Sequence, residues 1–233
     1  VGPNRVQLLN KLGIFNLKDL ISYYPRTYED RSKPKNIIEC VDGEEALIEG
    51  IVCNRMTDVR LKGKTMQRLI VRDETASVTI TWFNQSYLKN IFKQGEKYQF
   101  YGKISNAFAR INMISPVFDE DGKSNNTGKI IPIYPLTYQL SQNVLRKIIE
   151  AGLKEVDGNL SETLPDYLIK EYKLDEINEA INQIHFPKDF REFEKARYRL
   201  VFEELLSTQL ALLELKNSYN TEEKGIIFDK NAK

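Results

Sequence analysis

Histidine is nearly absent from this chain. His185 is the only one in 233 residues, accompanied by two cysteines, Cys40 and Cys53, and a single tryptophan. Two thiols and one imidazole cannot fill a four-ligand structural zinc site, and the cysteines do not stand at ligand spacing. A nucleophile–histidine pair is not visible either. His185, in Ile184-His185-Phe186-Pro187, has no nucleophile near it in the sequence and reads as a packed or capping histidine, not a general base. Long apolar runs are lacking as well: none approaches the roughly 18 residues that a bilayer-spanning helix needs, and no signal peptide opens the chain. A soluble intracellular protein without a membrane partner is expected. Net charge is missing too, since 34 Lys/Arg meet 33 Asp/Glu, so the global balance points to no polyanionic partner.

What is present is unevenly placed. Residues 1–135 carry 20 Lys/Arg against 15 Asp/Glu, a net of +5, whereas residues 136–233 carry 14 against 18, a net of −4. Within the basic part, the run from Asn54 to Arg72 holds Arg55, Arg60, Lys62, Lys64, Arg68 and Arg72 against Asp58 alone. Such a run reads either as a solvated hairpin or as a phosphate-binding surface. A second group, Lys89, Lys93, Lys97, Lys103 and Arg110 around Glu96, gives residues 86–110 a net of +4. Both ends look cut: Val1-Gly2-Pro3 begins inside a motif and residues 229–233 close no element, so part of a longer protein is expected.

The order of elements predicts an α+β chain. Pro3 suits a first helical position, Val6, Leu9 and Leu12 recur at helical spacing, and Gly13 separates a second short helix near Leu17 to Tyr24. Tyr24 to Pro34 has two prolines and no apolar period, which makes it an extended connector. Arg26 and Arg31 in it either touch phosphates or pair with Glu29 and Asp30, the second reading being preferred. From Glu45 onward the plan is strand Ala46–Asn54, basic hairpin, strand Gln67–Asp73, strand Ser77–Phe83, a helix near Ser86–Phe92, strand Lys97–Ser105 and strand Arg110–Phe118. Three strands, a helix and two strands is the plan of an oligonucleotide/oligosaccharide-binding (OB) five-stranded β-barrel. Val78, Ile80, Trp82, Tyr98, Phe100 and Ile104 are its expected inward residues. Asp119 to Gly128 reads as a loop. Helices are expected from Ser141 to a stop at Gly152, near Pro165–Tyr172 and near Asp175–Gln183. A long helix near Glu192–Asn217 follows, with an apolar stripe that should be packed along much of its length. The expected divisions are a helical segment with connector at 1–36, the barrel at 37–135 and a helical region at 136–233.

Phe83 breaks the pattern of its strand. Alternation puts Val78, Ile80 and Trp82 on one face and Thr79, Thr81 and Phe83 on the other, so a large ring stands among threonines. Tyr87 follows four residues later. Paired exposed aromatics hold an unstacked nucleic-acid base, with nearby cations on the phosphates; the bland alternative is that Phe83 caps the barrel and Tyr87 packs on the helix. Tyr101, expected on an outward strand face with Gln99 and Lys103, is a weaker third candidate. Two mimics of a phosphate-binding loop, Gly63-Lys64-Thr65 and Gly122-Lys123-Ser124, are rejected because Asp58 and Val117 stand where the leading glycine is needed. No catalytic constellation is visible and no metal site is assigned: the adjacent Glu203 and Glu204 point in different directions on a helix.

An ordered series of blocks resembles one family, the N-terminal wedge region of the bacterial branch-migration helicase RecG. The blocks are Val1-Gly2-Pro3-Asn4-Arg5, Leu12-Gly13-Ile14, Tyr24-Pro25-Arg26-Thr27-Tyr28-Glu29-Asp30-Arg31 and Phe83-Asn84-Gln85-Ser86-Tyr87-Leu88. They continue with Ile133-Tyr134-Pro135-Leu136-Thr137, His185-Phe186-Pro187 and Ala196-Arg197-Tyr198-Arg199-Leu200-Val201-Phe202-Glu203-Glu204. The resemblance implies an ATP-dependent DNA helicase that reverses stalled forks and migrates branched junctions in repair and recombination. Its OB barrel is the wedge that parts the strands, and Phe83 and Tyr87 match the family's stacking pair. It also implies that ATP and Mg2+ serve motor domains following this chain, the chain itself taking no cofactor. A monomer in the bacterial cytoplasm is expected, associated with the nucleoid and meeting branched and single-stranded DNA and single-stranded-DNA-binding protein. DNA contacts are expected from Arg26, Arg31, Arg55, Arg60, Lys62, Lys64, Lys89, Tyr101, Lys103 and Arg110. An RNA-binding OB module and a protein-interaction barrel anchored by Phe83 stay open on the residues alone.

Overall fold

The computed structural model describes residues 2–61, 63–107, 110–123, 126–156 and 158–222. They fall into two compact units, one spanning residues 25–142 and one formed by residues 1–24 with those from 143 onward.

In the first unit, alternation of apolar residues is what closes a barrel. In chain order its strands are β1 (Thr27–Arg31), β2 (Glu45–Val52), β3 (Thr57–Leu61), β4 (Lys64–Arg72), β5 (Ser77–Phe83), β6 (Lys97–Ala107), β7 (Arg110–Ile114), β8 (Val117–Glu120) and β9 (Lys129–Ile133). Five of them run in the order β2-β4-β5-β7-β6, and β6 returns to β2 from Glu45↔Lys103 to Ile51↔Lys97, which removes the free edge. The six expected inward residues are all buried, with Leu69, Val71 and Met113 beside them. Trp82 stacks on Phe92 at 5.2 Å between centroids and donates its indole N–H to the carbonyl of Pro116. Gly50 marks the point where β2 leaves β6 for β4. A Cβ there would lie 2.6 Å from Val71 Cγ1 and 2.7 Å from the Arg72 carbonyl oxygen, so only glycine admits the crossing.

Four expectations change. The strand expected over Arg110–Phe118 is two strands, because Ser115 takes a positive φ of 48° before Pro116, and β8 then pairs with the other end of β6. The extended connector is itself a strand: β1 pairs antiparallel with β9 from Thr27↔Ile133 to Arg31↔Lys129. The expected loop 119–128 leads into β9, and the buried Asp119 carboxylate anchors it by accepting the backbone N–H groups of Asn126 and Thr127. Finally, the helix after β5 is a 3-10 turn over Ser86–Asn90.

The second unit holds α1 (Pro3–Lys11), α2 (Leu17–Ile21), α3 (Gln142–Val156), α4 (Asp166–Tyr172), α5 (Ile177–His185) and α6 (Phe190–Glu222). A reciprocal capping box between Asn16 and Asp19 starts α2. Gly152 does not stop α3, which continues to Val156. Its missing side chain instead admits α2, since a Cβ there would meet Leu20 Cδ2 at 2.7 Å. Arg199 of α6 is fully buried and donates to Glu162, Glu203 and the carbonyl of Asp175, as a buried guanidinium must. Burial works against ionisation of Glu162, but donated N–H groups from Leu164 and Ile177, with the Arg199 charge, hold its carboxyl below the usual range.

The expectation that α6 is packed along most of its length fails. Its 33 residues run about 50 Å, whereas α5, which packs on it through Ala180, Ile184 and Ala196, has nine residues and reaches about 14 Å. Val201, Leu205, Leu210, Leu212, Leu213 and Leu215 are exposed. An apolar stripe is covered only where an element faces it, and α5 is too short to face most of this one.

Candidate nucleic-acid interface

One corner of the barrel is assembled from the end of β5, the β3–β4 hairpin and the 3-10 turn. As β5 ends, Asn84 takes a left-handed φ of 56°, a conformation that a short polar side chain tolerates by bonding locally. Its N–H donates to the Thr65 carbonyl at 2.7 Å, and its Oδ1 accepts the Thr65 N–H at 3.0 Å. Gln67 lies below. Fully buried on β4, it accepts the Gln85 N–H at 2.9 Å and donates from Nε2 to Asp58 Oδ1 at 3.0 Å. Asp58 in turn pairs with Lys89 of the 3-10 turn. The hydrogen bond from Lys89, then that from Gln67, holds the Asp58 carboxyl below the ordinary range. Leu88, buried in the barrel core, pins the underside of the turn.

On this scaffold Phe83 is 38% exposed and Tyr87 61%. The Tyr87 hydroxyl donates to Gln85 Oε1 at 3.0 Å, which orients the ring without covering it. Phe83 stands beside Met66 across the strand pair. Neither ring engages another aromatic among the described residues, so each keeps a face open to solvent. Lys64 begins β4 two residues from Met66, exposed and without an ion pair among the described residues, and Arg60 lies on the opposite face of the hairpin, paired in register with Thr65.

The other expected contacts do not gather here. Tyr101 is covered, and Arg31 takes the paired one of its two readings. Tyr101 is only 7% exposed because the Arg31 guanidinium lies over its ring, 4.2 Å from the centroid, and its hydroxyl donates to Glu45 at 2.9 Å. Burial first, and that hydrogen bond second, push the Tyr101 phenol above its usual range. Arg31 is itself buried and bonded to Glu29 and to the Asn126 carbonyl. Arg26 is exposed just before β1, and Lys103 on β6 pairs in register with Glu45. Arg55 is exposed ahead of β3. Arg110 lies toward the far end of β5, since Val78 pairs with Ile111, about 17 Å along the strand from Phe83. Lys62 lies outside the described residues.

The sequence reading missed Gln67, Asn84 and Asp58, which build the corner. One signal was available: Gln67 is polar at an inward position between β4 residues that alternate into the core, and buried amides are kept where backbone groups need partners. In the other unit His185 is fully buried with Nε2 2.8 Å from the Ile21 carbonyl oxygen, and burial lowers its pKa to about 4. Gly63-Lys64 belongs to the β3–β4 hairpin and Gly122-Lys123 follows β8; Ser124 lies outside the described residues. Among the described residues no helix is long and apolar enough to cross a membrane, and no three His, Cys, Asp or Glu side chains cluster as for a metal ion.

A family model described as the RecG wedge domain matches residues 1–156. An ATP-dependent DNA helicase RecG from Thermotoga maritima is 35% identical over 219 residues, covering 93% of this chain and 28% of its own length. The protein of the same name from Streptococcus pneumoniae is 32% identical over 98% of this chain and 33% of its own length. A solved structure of RecG bound to a three-way DNA junction superimposes over 95% of the chain with a TM-score of 0.84 at 31% identity, covering 31% of that structure's chain. The chain thus spans about a third of the length of the curated relatives it matches.

Proposed function

This chain belongs to the RecG wedge-domain family, and from that premise we propose that it is the branched-DNA-binding wedge of an ATP-dependent helicase acting on forks and junctions. The strands part at the corner made by Phe83 and Tyr87, each of which stacks on an unpaired base as the duplex opens. Lys64, exposed and without an ion pair among the described residues, takes an adjoining phosphate. One observation carries this reading: two solvent-open rings are held on a rigid corner by the buried Gln67 amide, next to unpaired positive charge. Stacking of this kind contributes about 1–3 kcal/mol per base and tolerates any sequence, which suits a wedge that must open whatever duplex it meets.

ATP hydrolysis with Mg2+ belongs, in this proposal, to the parts of the relatives that this chain does not span. Work at the bacterial nucleoid, action as a monomer and a meeting with single-stranded-DNA-binding protein complete it.

The test is an anisotropy titration of a three-way fork, a duplex, a single strand and an RNA stem-loop with this chain and with the double variant Phe83→Ala, Tyr87→Ala. Preference for the fork, weakened by salt and by the double substitution, is the expected result. Equal fork binding by the variant would remove the pair from the mechanism. Preference for an RNA loop would move the assignment to an RNA-binding barrel.

A further inference from the structure

Asp58 is out of keeping with its surroundings. Between Asn54 and Arg72 it is the one acid among six basic residues, and it stands on the hairpin that forms part of the corner bearing Phe83 and Tyr87. A carboxylate at such an edge repels phosphate. Its Oδ1 accepts from Gln67 Nε2 at 3.0 Å, a service that an asparagine carbonyl would perform as well. What an acid adds is the second contact, in which Oδ2 pairs with the ammonium of Lys89. The two partners belong to different segments. Asp58 lies opposite Gln67 in the β3–β4 register, and Lys89 follows Tyr87 by two residues in the 3-10 turn Ser86–Asn90. The corner therefore leaves Lys64 open to solvent and neutralises the lysine nearest in sequence to Tyr87.

Resting on the wedge reading above, we propose that Asp58 is a specificity-determining residue of this corner: it withholds Lys89 from phosphate, so that the rings and not the charge decide where DNA is held. Charge attracts a duplex at any point along it, because every nucleotide brings the same phosphate. Rings take hold only where a base is unpaired. Masking the lysine beside Tyr87 lowers affinity for intact duplex, the competitor that a junction-binding protein meets everywhere, and leaves the stacking contacts untouched. Discrimination of this kind comes from an element that disfavours the wrong partner. The pair also reaches from the hairpin to the turn that carries Tyr87, so the charge is masked without loosening the ring's support. Partly exposed ion pairs contribute little to stability, so the fold tolerates the loss of this one.

The test compares the chain with Asp58→Asn, which keeps an acceptor for Gln67 and frees Lys89, and with the double variant Asp58→Asn, Lys89→Gln, which takes the freed charge away again. Probes are a three-way fork and a blunt duplex of equal length, titrated by anisotropy over a range of salt. Asp58→Asn should bind the duplex about fivefold more tightly at about 0.1 M salt, with a slope of log affinity against log salt steeper by about one. A duplex can shift to set a phosphate on Lys89, whereas a fork seated by its parted bases cannot, so the fork-over-duplex preference should fall by about threefold. The double variant should return duplex affinity and slope to those of the wild type. An equal gain on fork and duplex would overturn the specificity role, as would an unchanged duplex affinity, an unchanged slope, or a gain that persists in the double variant. A wild-type chain that prefers the fork, with Asp58→Asn behaving identically, would sink this inference and keep the wedge. A wild-type chain without fork preference would sink the wedge reading whatever the variants do, and failure to bind either probe would sink both. Thermal melts of the variants matching the wild type exclude misfolding.

Discussion

The side-chain carbonyl of Gln67 accepts the backbone N–H of Gln85 at 2.9 Å from a fully buried position. A core amide thus fixes the turn that carries Tyr87, and its other end holds Asp58 against Lys89. Replacing Gln67 by Leu keeps the volume but strands the Gln85 N–H. We expect a loss of about 1–3 kcal/mol in urea unfolding, and weaker fork binding although no DNA-contacting group has been removed. Unchanged fork affinity in a destabilised variant would mean the turn is held by other means.

Tyr87 separates stacking from hydrogen bonding. Among the described residues its hydroxyl reaches only Gln85, and 61% of the residue is open. Tyr87→Phe should bind forks within about twofold of the wild type, whereas Tyr87→Ala should lose about 1–3 kcal/mol of binding, neither changing the melting temperature appreciably. A Phe variant as weak as the Ala variant would assign the role to the hydroxyl.

Arg31 is expected to act on stability and not on DNA. Its guanidinium covers Tyr101 and is bonded to Glu29 and the Asn126 carbonyl. Arg31→Leu should cost about 1–3 kcal/mol in unfolding free energy and leave the salt slope of DNA binding as it was. A slope reduced by about one would show that the side chain meets a phosphate after all.

Acid should loosen the helical unit through His185. Burial lowers its pKa from 6.5 to about 4, so between those values the unfolded chain binds the proton more readily than the folded one. The stabilising contribution is complete above about pH 6.5 and is lost as pH falls toward 4, to a maximum of about 3 kcal/mol. His185→Gln should flatten that part of the stability–pH curve. Parallel curves for the two proteins, followed by urea unfolding, would show that another group carries the acid sensitivity.

The barrel was legible because its signal is local. Alternation in β5 and β6 names the inward residues without help from the rest of the chain, and a ring among threonines is conspicuous for the same reason. The pairing of β1 with β9 was not legible, since Thr27–Arg31 shows no apolar period and its partner stands about a hundred residues on. Tyr101 was misread on the same account: alternation correctly put it outside the barrel, but nothing in its own strand announces that Arg31 will cover it. The break at Ser115 left one mark, the Pro116 that follows it inside the expected strand, although the positive φ at serine itself leaves none. For α6 the sequence shows how long the apolar stripe is, and only the brevity of α5 shows how much of it goes uncovered.

The β1–β9 pair has a mechanical meaning. Entry and exit meet at one end of the ladder, where the Arg26 N–H donates to the Ile133 carbonyl at 2.9 Å and Thr27 faces Ile133. Tension between Arg26 and Tyr134 therefore opens this ladder like a zipper, loading its rungs in turn instead of all at once. The second rung sets Tyr28 against Pro132, which brings no N–H of its own. The second rung of the ladder thus has one donor fewer than a ladder without proline would have.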